Sequence, residues 1–170
     1  ITTMDTDSGT VTYVGTSSYT GLAAGNSYYH LTFNGSGGTW TQNATLDVNG
    51  TLTITAGTLA TGNNNITLAG DWSNSGTFTE GTGTVTFDGS VAQALTGETF
   101  YNLTINNSAA SPSDSVDVDS SAAVTVTNTL TVTDGQFSPT TASTFKDVTI
   151  STNGILKPDS SASITVSGNF

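Results

Sequence analysis

Residues 83–89 read Gly-Thr-Val-Thr-Phe-Asp-Gly, a run in which apolar and polar side chains alternate between two glycines. A period of two places Val85 and Phe87 on one face of a strand and the threonines on the other. Thr is β-branched, which favours a pleated strand over a helix. The run therefore predicts a short strand with one buried face.

The same apolar–Thr–apolar unit occurs along the whole chain, flanked by Gly, Asn, Asp or Ser. Ten units are present: Val11–Tyr13, Leu31–Phe33, Leu52–Ile54, Ile66–Leu68, Val85–Phe87, Leu103–Ile105, Val124–Val126, Leu130–Val132, Val148–Ile150 and Ile164–Val166. Two further units, Leu46–Val48 and Val116–Val118, carry Asp in place of Thr. No segment shows a helical period over three turns, so we expect an all-β protein.

Matches between distant segments indicate an internal repeat. Residues 9–15 match 83–89 at an offset of 74, and three later pairs match at offsets of 72, 78 and 98. Those pairs are 28–34 with 100–106, 48–54 with 126–132, and 66–72 with 164–170. The pattern predicts one domain, 1–170, with copies at 9–82 and 83–170 and about 20–26 residues added to the second copy.

An addition of that size corresponds to one coil of a β-solenoid, in which each coil contacts only its neighbours. Strand pairing spaces successive coils by about 4.8 Å, so roughly seven coils would stack to about 34 Å. Inward Val, Ile, Leu and Phe would form a narrow continuous core. The alternative fold is a β-sandwich pilin-like subunit that polymerises by donating a strand, although an inserted coil would change its strand order.

Aromatic residues also match between the two copies. Tyr28-Tyr29 corresponds to Phe100-Tyr101, and Trp72 corresponds to Phe170. We expect Tyr28-Tyr29 and Phe100-Tyr101 to occupy the same place in their coils and to form a stack. Packing in the core or at a corner explains these residues, with a sugar-stacking platform as the alternative.

The charge balance excludes several classes of partner. Lys146 and Lys157 are the only cations, there is no Arg, and the net charge is −11. Nucleic acid is excluded, because its binding requires cations that displace counterions from phosphates. No run of about 18 apolar residues exists, so no membrane span is predicted. The acidic balance, the scarcity of Lys and the abundance of Thr, Ser, Asn and Gly are typical of an extracellular or cell-surface protein.

Three nearby segments resemble repeats of very large prokaryotic cell-surface proteins of the β-helical adhesin type. They are residues 83–89, residues 93–97 (Gln-Ala-Leu-Thr-Gly) and residues 100–106. The resemblance implies a right-handed parallel β-helix that is secreted or held at the cell surface. It brings no fixed catalytic motif.

The two ends of the chain are complementary in sequence. Residues 168–170 match residues 70–72, which are followed in the first copy by ten residues before Gly83. Residues 1–8 supply nearly what is missing after residue 170. We therefore expect either copies that polymerise head to tail or one segment of a longer solenoid. The expected polymer interface comprises Ile1, Thr2, Thr3, Met4, Gly168, Asn169 and Phe170.

Residues that could support catalysis are scarce, and no enzyme is predicted. His30 is the only histidine and occupies the position that Asn102 holds in the second copy, which favours a strand-face role. Without Cys, Arg or a second His, the usual nucleophile–base pairs and transition-metal sites cannot form. Asp114, Asp117 and Asp119 form a dense carboxylate cluster. A solvated face explains this cluster, with a calcium site and a glycosidase carboxylate pair as alternatives. No other cofactor is expected.

The sequence also contains glycosylation sequons and rows of outward threonines. Six sequons begin at Asn34, Asn43, Asn49, Asn65, Asn102 and Asn106, and chance alone explains their number, so surface glycans remain an open alternative. Outward rows at Thr51, Thr53 and Thr55 and at Thr129, Thr131 and Thr133 could order water and bind ice. Unequal coils and the interruptions at Asp47 and Asp117 argue against that use.

These observations predict a structural subunit of an extracellular filament or sheath that polymerises head to tail with copies of itself. A segment of a large cell-surface adhesin or stalk is the main alternative. An ice-binding domain and a carbohydrate-active domain are further alternatives.

Overall fold

The computed structural model describes residues 7–109 and 118–170, and these form β-strands and connections with no helix. The strands are β1 (Thr10–Tyr13), β2 (Ser18–Thr20), β3 (Ser27–Tyr28), β4 (His30–Thr41), β5 (Leu46–Val48), β6 (Leu52–Ala60), β7 (Ile66–Leu68), β8 (Trp72–Asn74), β9 (Thr77–Thr79), β10 (Thr84–Phe87), β11 (Gln93–Leu95), β12 (Thr99–Asn106), β13 (Val118–Ser120), β14 (Thr125–Pro139), β15 (Ser143–Leu156) and β16 (Ile164–Val166).

Strand pairing is parallel between every described pair, and it stacks the chain into a β-solenoid of about seven turns. Three columns of strands result, named here sides I, II and III. Side I contains β1, β8, β11 and β13, the parts of β4, β6 and β14 that pair with them, and the part of β15 that pairs with β14 there. Side II contains β2, β9, β16 and their partners, and side III contains β3, β5, β7, β10 and theirs. The parallel β-helix is confirmed, and the antiparallel sandwich is excluded.

The coils differ in length, although the strands stay in register. On side I one position recurs at residues 11, 31, 52, 72, 95, 120 and 139, so successive coils take 20, 21, 20, 23, 25 and 19 residues. Among the described residues, the register shifts between coils fall at the corners between sides, for example between Phe33 and Asn34 and between Val126 and Thr129.

One apolar core runs through the inside of the solenoid. Its columns include Leu31, Leu52, Trp72 and Leu95 on side I, Trp40, Leu59 and Phe78 on side II, and Val48, Leu68, Phe87, Ile105 and Val132 on side III. These side chains are buried, and the alternating threonines point outward. The inward–outward assignment from the period of two is therefore confirmed.

A column of glycines forms the corner between sides I and II. A Cβ at Gly35 would collide with the carbonyl oxygen of Gly15, and one at Gly57 would collide with that of Gly35. Gly57 also has a φ of +86°, which L side chains rarely adopt. Glycine is required at this corner because successive coils approach backbone to backbone.

The matched segments of the two copies lie on different sides of the solenoid. Val11 lies on side I and its match Val85 lies on side III, three turns and two sides further along the solenoid. The same displacement separates residues 28–34 from 100–106 and residues 48–54 from 126–132. Ile66 and Ile164 are four turns and two sides apart. The offset of the last pair therefore differs from the others by one whole turn.

This shift of sides makes the expected aromatic stacks wrong. Tyr28 lies on side III, where its ring meets Tyr13 edge-on, with ring centres 6.4 Å apart. Phe100 lies on side II and packs against Trp72 and Phe78. Trp72 is buried, whereas Phe170 is 81% exposed. The buried members of these pairs are core residues, as the first interpretation predicted.

Truncation of one core residue tests the register of side III. Leu103 is fully buried and pairs with Val85 and Leu130. Leu103→Ala should lower the free energy of unfolding by about 2–5 kcal/mol, because it removes buried apolar contacts and leaves a cavity. Urea denaturation followed by circular dichroism measures the change. The matched control is Val91→Ala, at a site 65% exposed, which should change stability by about 0.5 kcal/mol or less. Equal losses would contradict the assigned core.

Candidate functional site

The first candidate site is formed by the two end coils, where strands have a free edge. Among described residues, β1 and β2 pair only with β4, β3 pairs only with β5, and β16 pairs only with β15. Free edges of parallel strands present unpaired N–H and C=O groups to any strand that adds to them. Both end coils could therefore accept a further coil.

The core is also partly open at both ends. Val11 and Tyr13 are half-buried, whereas Leu31 and Phe33 in the next coil are fully buried. At the other end Leu156, Ile164 and Val166 pack on the core but stay half-buried. Apolar side chains that point inward are thus left partly in contact with solvent.

An aromatic crevice opens at the end near residue 10. It has a volume of about 270 Å³ and is lined by Tyr13, Gly15, Tyr19, Gly21, Ala23 and Trp40. Tyr19 stacks on Trp40 with ring centres 5.8 Å apart, and Tyr13 stacks on Phe33 at 5.6 Å. The rings leave an apolar surface at the end of the rod.

Hydrogen bonds hold the hydroxyl groups of this crevice in place. Tyr28 Oη donates to the carbonyl oxygen of Gly25 at 2.6 Å, so Tyr13 Oη donates to Tyr28 Oη at 2.8 Å. Tyr13 Oη also accepts from the Ala24 amide at 3.0 Å. Burial, reinforced by the hydrogen bond with Tyr13, raises the pKa of Tyr28, so the Tyr28 hydroxyl stays protonated at physiological pH.

The opposite end carries three residues predicted to form the polymer interface. Gly168 donates from its amide to the Lys146 carbonyl at 2.7 Å, and the Asn169 amide donates to Asp147 Oδ1 at 2.6 Å. These bonds continue side III by one further strand-like segment, and Phe170 at its tip is exposed. The other four predicted interface residues, Ile1, Thr2, Thr3 and Met4, lie outside the described residues.

A second candidate site is an open cleft of about 580 Å³ on the outer face of side I near its far end. Its lining includes Asp119, Ser138, Lys157 and Asp159. Partial burial, together with the nearby Asp159 carboxylate, raises the pKa of Asp119. Asp114 and Asp117 of the proposed calcium cluster lie outside the described residues, and those that are described contain no group of three or more potential metal ligands. Calcium binding remains a prediction.

The remaining predicted residues occupy outer positions of the coils. His30 lies on the outer face of side I, and its Nδ1 accepts a hydrogen bond from the Thr51 amide at 2.9 Å, which is a structural use of the ring. Of the six sequon residues, Asn102 is half-buried and the others are exposed: Asn34, Asn43, Asn49, Asn65 and Asn106. Glycosylation of these positions remains a prediction.

A buried polar network was missed by the sequence analysis. Gln93 Nε2 donates to the carbonyl oxygens of Leu68 at 2.9 Å and Gly70 at 2.6 Å. Gln93 Oε1 accepts from the Gly89 amide at 3.1 Å and from Asn107 Nδ2 at 2.8 Å. The network supplies partners to backbone groups at the corner between sides III and I. The period of two places Gln93 on the buried face with Leu95, but the polar amide hides that assignment in the sequence.

Two further carboxylates titrate abnormally because of their position on the solenoid. Burial, followed by repulsion from Asp47, raises the pKa of Asp88. Burial also raises the pKa of Glu98, despite hydrogen bonds from Asn74 Nδ2 and the Thr99 amide. Within the described ranges, no cation is among the groups that shift the pKa of either carboxyl.

The raised pKa of Glu98 predicts that acidification stabilises the fold. Above its ordinary pKa of 4.5 the unfolded chain releases this proton, whereas the folded chain retains it up to the raised pKa. The free energy of unfolding should therefore rise as pH falls from 7 towards about 4.5. Glu98→Gln should flatten that dependence, as measured by urea denaturation across this range.

Asp71→Asn is the matched control for this prediction. It also removes one negative charge, from an exposed side chain whose oxygen can still accept the hydrogen bond from the Ala94 amide. An equal flattening by both variants would assign the dependence to net charge and contradict the role of Glu98.

No family model matches the chain, and no curated protein or solved structure shows significant similarity to it. None of the described residues forms a helix that could cross a membrane.

Proposed function

We propose that this chain is a structural subunit of an extracellular filament, in which copies stack head to tail through their end coils. The observation that carries the proposal is the partly open core at both ends of the solenoid. Val11 and Tyr13 at one end and Ile164 and Val166 at the other are inward-pointing but half-buried. A further coil at each end would complete their burial.

The two ends match in strand pattern as well as in exposed core. On side II the last strand reads Thr165-Val166 and the first reads Ser18-Tyr19, each with a polar residue outward and an apolar residue inward. Pairing β2 of one copy with β16 of the next would extend the parallel column and keep its inward and outward faces unchanged. The contact is heterologous, and contacts of that kind generate open fibres.

Composition supports a role in assembly rather than chemistry. The chain has a single His, no Cys and no Arg, and His30 is engaged with the backbone. The net charge of −11 makes copies repel one another, and salt screens that repulsion. Assembly should therefore be promoted by salt. The acidic, Thr-rich composition supports an extracellular location.

The resemblance to β-helical adhesins supports a second arrangement, in which the coils that cover each end belong to the same polypeptide. The core and the strand edges would be completed in the same way. The two arrangements differ in whether separate copies of the 170-residue chain associate.

Charged substitutions at each end test the filament. Val11→Asp and Val166→Asp place a carboxylate at inward positions of opposite end coils, where burial by a second copy would be strongly unfavourable. We expect the native chain to form rods in negative-stain micrographs and each variant to remain monomeric by analytical ultracentrifugation. Val91→Asp, at an exposed site away from both ends, is the control and should assemble normally.

Mixing the two variants tests the polarity of the contact. Val11→Asp retains one intact end and Val166→Asp retains the other, so an equimolar mixture can form only one joint per pair. The expected product is a heterodimer that does not grow. A native chain that stays monomeric at high concentration and high salt would overturn the filament proposal and favour the single-polypeptide arrangement.

A further inference from the structure

Side II carries a two-column array of small hydroxyl side chains on its outer face. In the first four coils the strands read Ser-Tyr-Thr, Thr-Trp-Thr, Thr-Leu-Ala and Thr-Phe-Thr. Strand register aligns the outward residues into one column of Ser18, Thr39, Thr58 and Thr77 and a second of Thr20, Thr41, Ala60 and Thr79. Seven of the eight positions are Ser or Thr.

The array is regular in both directions. Neighbouring strands lie about 4.8 Å apart, and alternate residues along a strand lie about 6.6 Å apart. The coils along this side take 21, 19 and 19 residues, from 18 to 39, 58 and 77. The unequal coil lengths that argued against ice binding from the sequence are absorbed elsewhere in the solenoid.

The array is also rigid. Thr is β-branched and has restricted χ1 rotamers. Beneath the array, Trp40, Leu59 and Phe78 are buried in successive coils, so the backbone that carries the hydroxyls is anchored to the core. A surface that holds its groups at fixed positions loses little conformational entropy on binding.

The hydroxyl groups of the array are unused by the protein itself. Within the described part of the chain, none of the seven makes a side-chain hydrogen bond to another residue. On side III, by contrast, Thr67 Oγ1 donates to Asp47 Oδ1 at 2.7 Å. The array therefore offers donors and acceptors to an external ligand.

The array is uncharged although the chain has a net charge of −11. Asp47 and Asp147 lie on side III and Asp119 lies on side I. An ionic ligand would need charge at its site, and a sugar-stacking platform would need outward aromatic rings. None of the eight array positions supplies either.

From these observations we infer that the outer face of side II in the first four coils binds ice. The surface of ice is a neutral lattice of water molecules with a fixed repeat, which matches a rigid, neutral and regular array. Thr presents a hydroxyl that bonds ordered water and a methyl group that excludes disordered water. The inference is independent of the filament, because stacking through the ends leaves side II exposed.

The test is thermal hysteresis and ice-crystal shaping by the purified full chain, with three variants. Ala60→Thr completes the second column and should increase hysteresis. Thr58→Tyr places a bulky ring at the centre of the array and should reduce hysteresis to the level of buffer. Thr131→Tyr is the matched control on side III, where Thr104, Thr131 and Thr149 also form a ladder, and it should retain native activity. Circular dichroism melting shows that each variant is folded.

Several outcomes would overturn the inference. The first is a native chain that shows neither thermal hysteresis nor crystal shaping. The second is an equal loss of hysteresis in Thr58→Tyr and Thr131→Tyr. The third is a native chain that has no effect on ice but binds crystalline cellulose or chitin, with that binding lost in Thr58→Tyr. The Val11→Asp variant separates this inference from the filament. It should retain thermal hysteresis while remaining monomeric. A failure of ice binding would therefore not contradict the filament, and a failure of filament assembly would not contradict ice binding.

Discussion

Parallel pairing between successive coils is the interaction on which the rest of this structure depends. Each strand between the two end coils meets its hydrogen-bonding requirement through the coils above and below it, as in the run from Leu31 through Leu52 to Trp72. Because a one-residue slip would exchange inward and outward side chains, this pairing also fixes which residues form the core. Core, outer faces and end surfaces are consequences of the same ladder.

The ladder constrains strands strictly and corners weakly. Strands stay in register from coil to coil, while one coil takes 19 residues and another 25. Corners that approach another coil closely are the exception, because Gly35 and Gly57 meet backbone atoms there. Some buried polar side chains lie within strands, and one of them, Gln93 of β11, supplies partners to backbone groups that leave the ladder at a neighbouring corner.

The fold was predictable because the apolar–Thr–apolar unit indicates which residues of each strand point inward to the core and which point outward. The number of turns followed from repeat offsets, which track the length of a coil. The side on which each unit lies was not predictable, since all three sides use the same pattern and corner lengths vary. For this reason Tyr28 and Phe100, alike in sequence context, lie on different sides. Gln93 was missed because nothing local distinguishes a buried amide from an exposed one, and the side II array emerges only once register is known.

The displacement of the two copies onto different sides has a consequence for how such a rod can change over time. A segment that lies on side I in one coil matches in sequence a segment that lies on side III in another coil. The unit that can be exchanged is therefore one strand with its turn and not a full coil. Gain or loss of one such part would keep the core continuous while rotating every later face by one side. Surface properties can thus move around the axis independently of stability, and the rod can acquire new faces without inventing new strands.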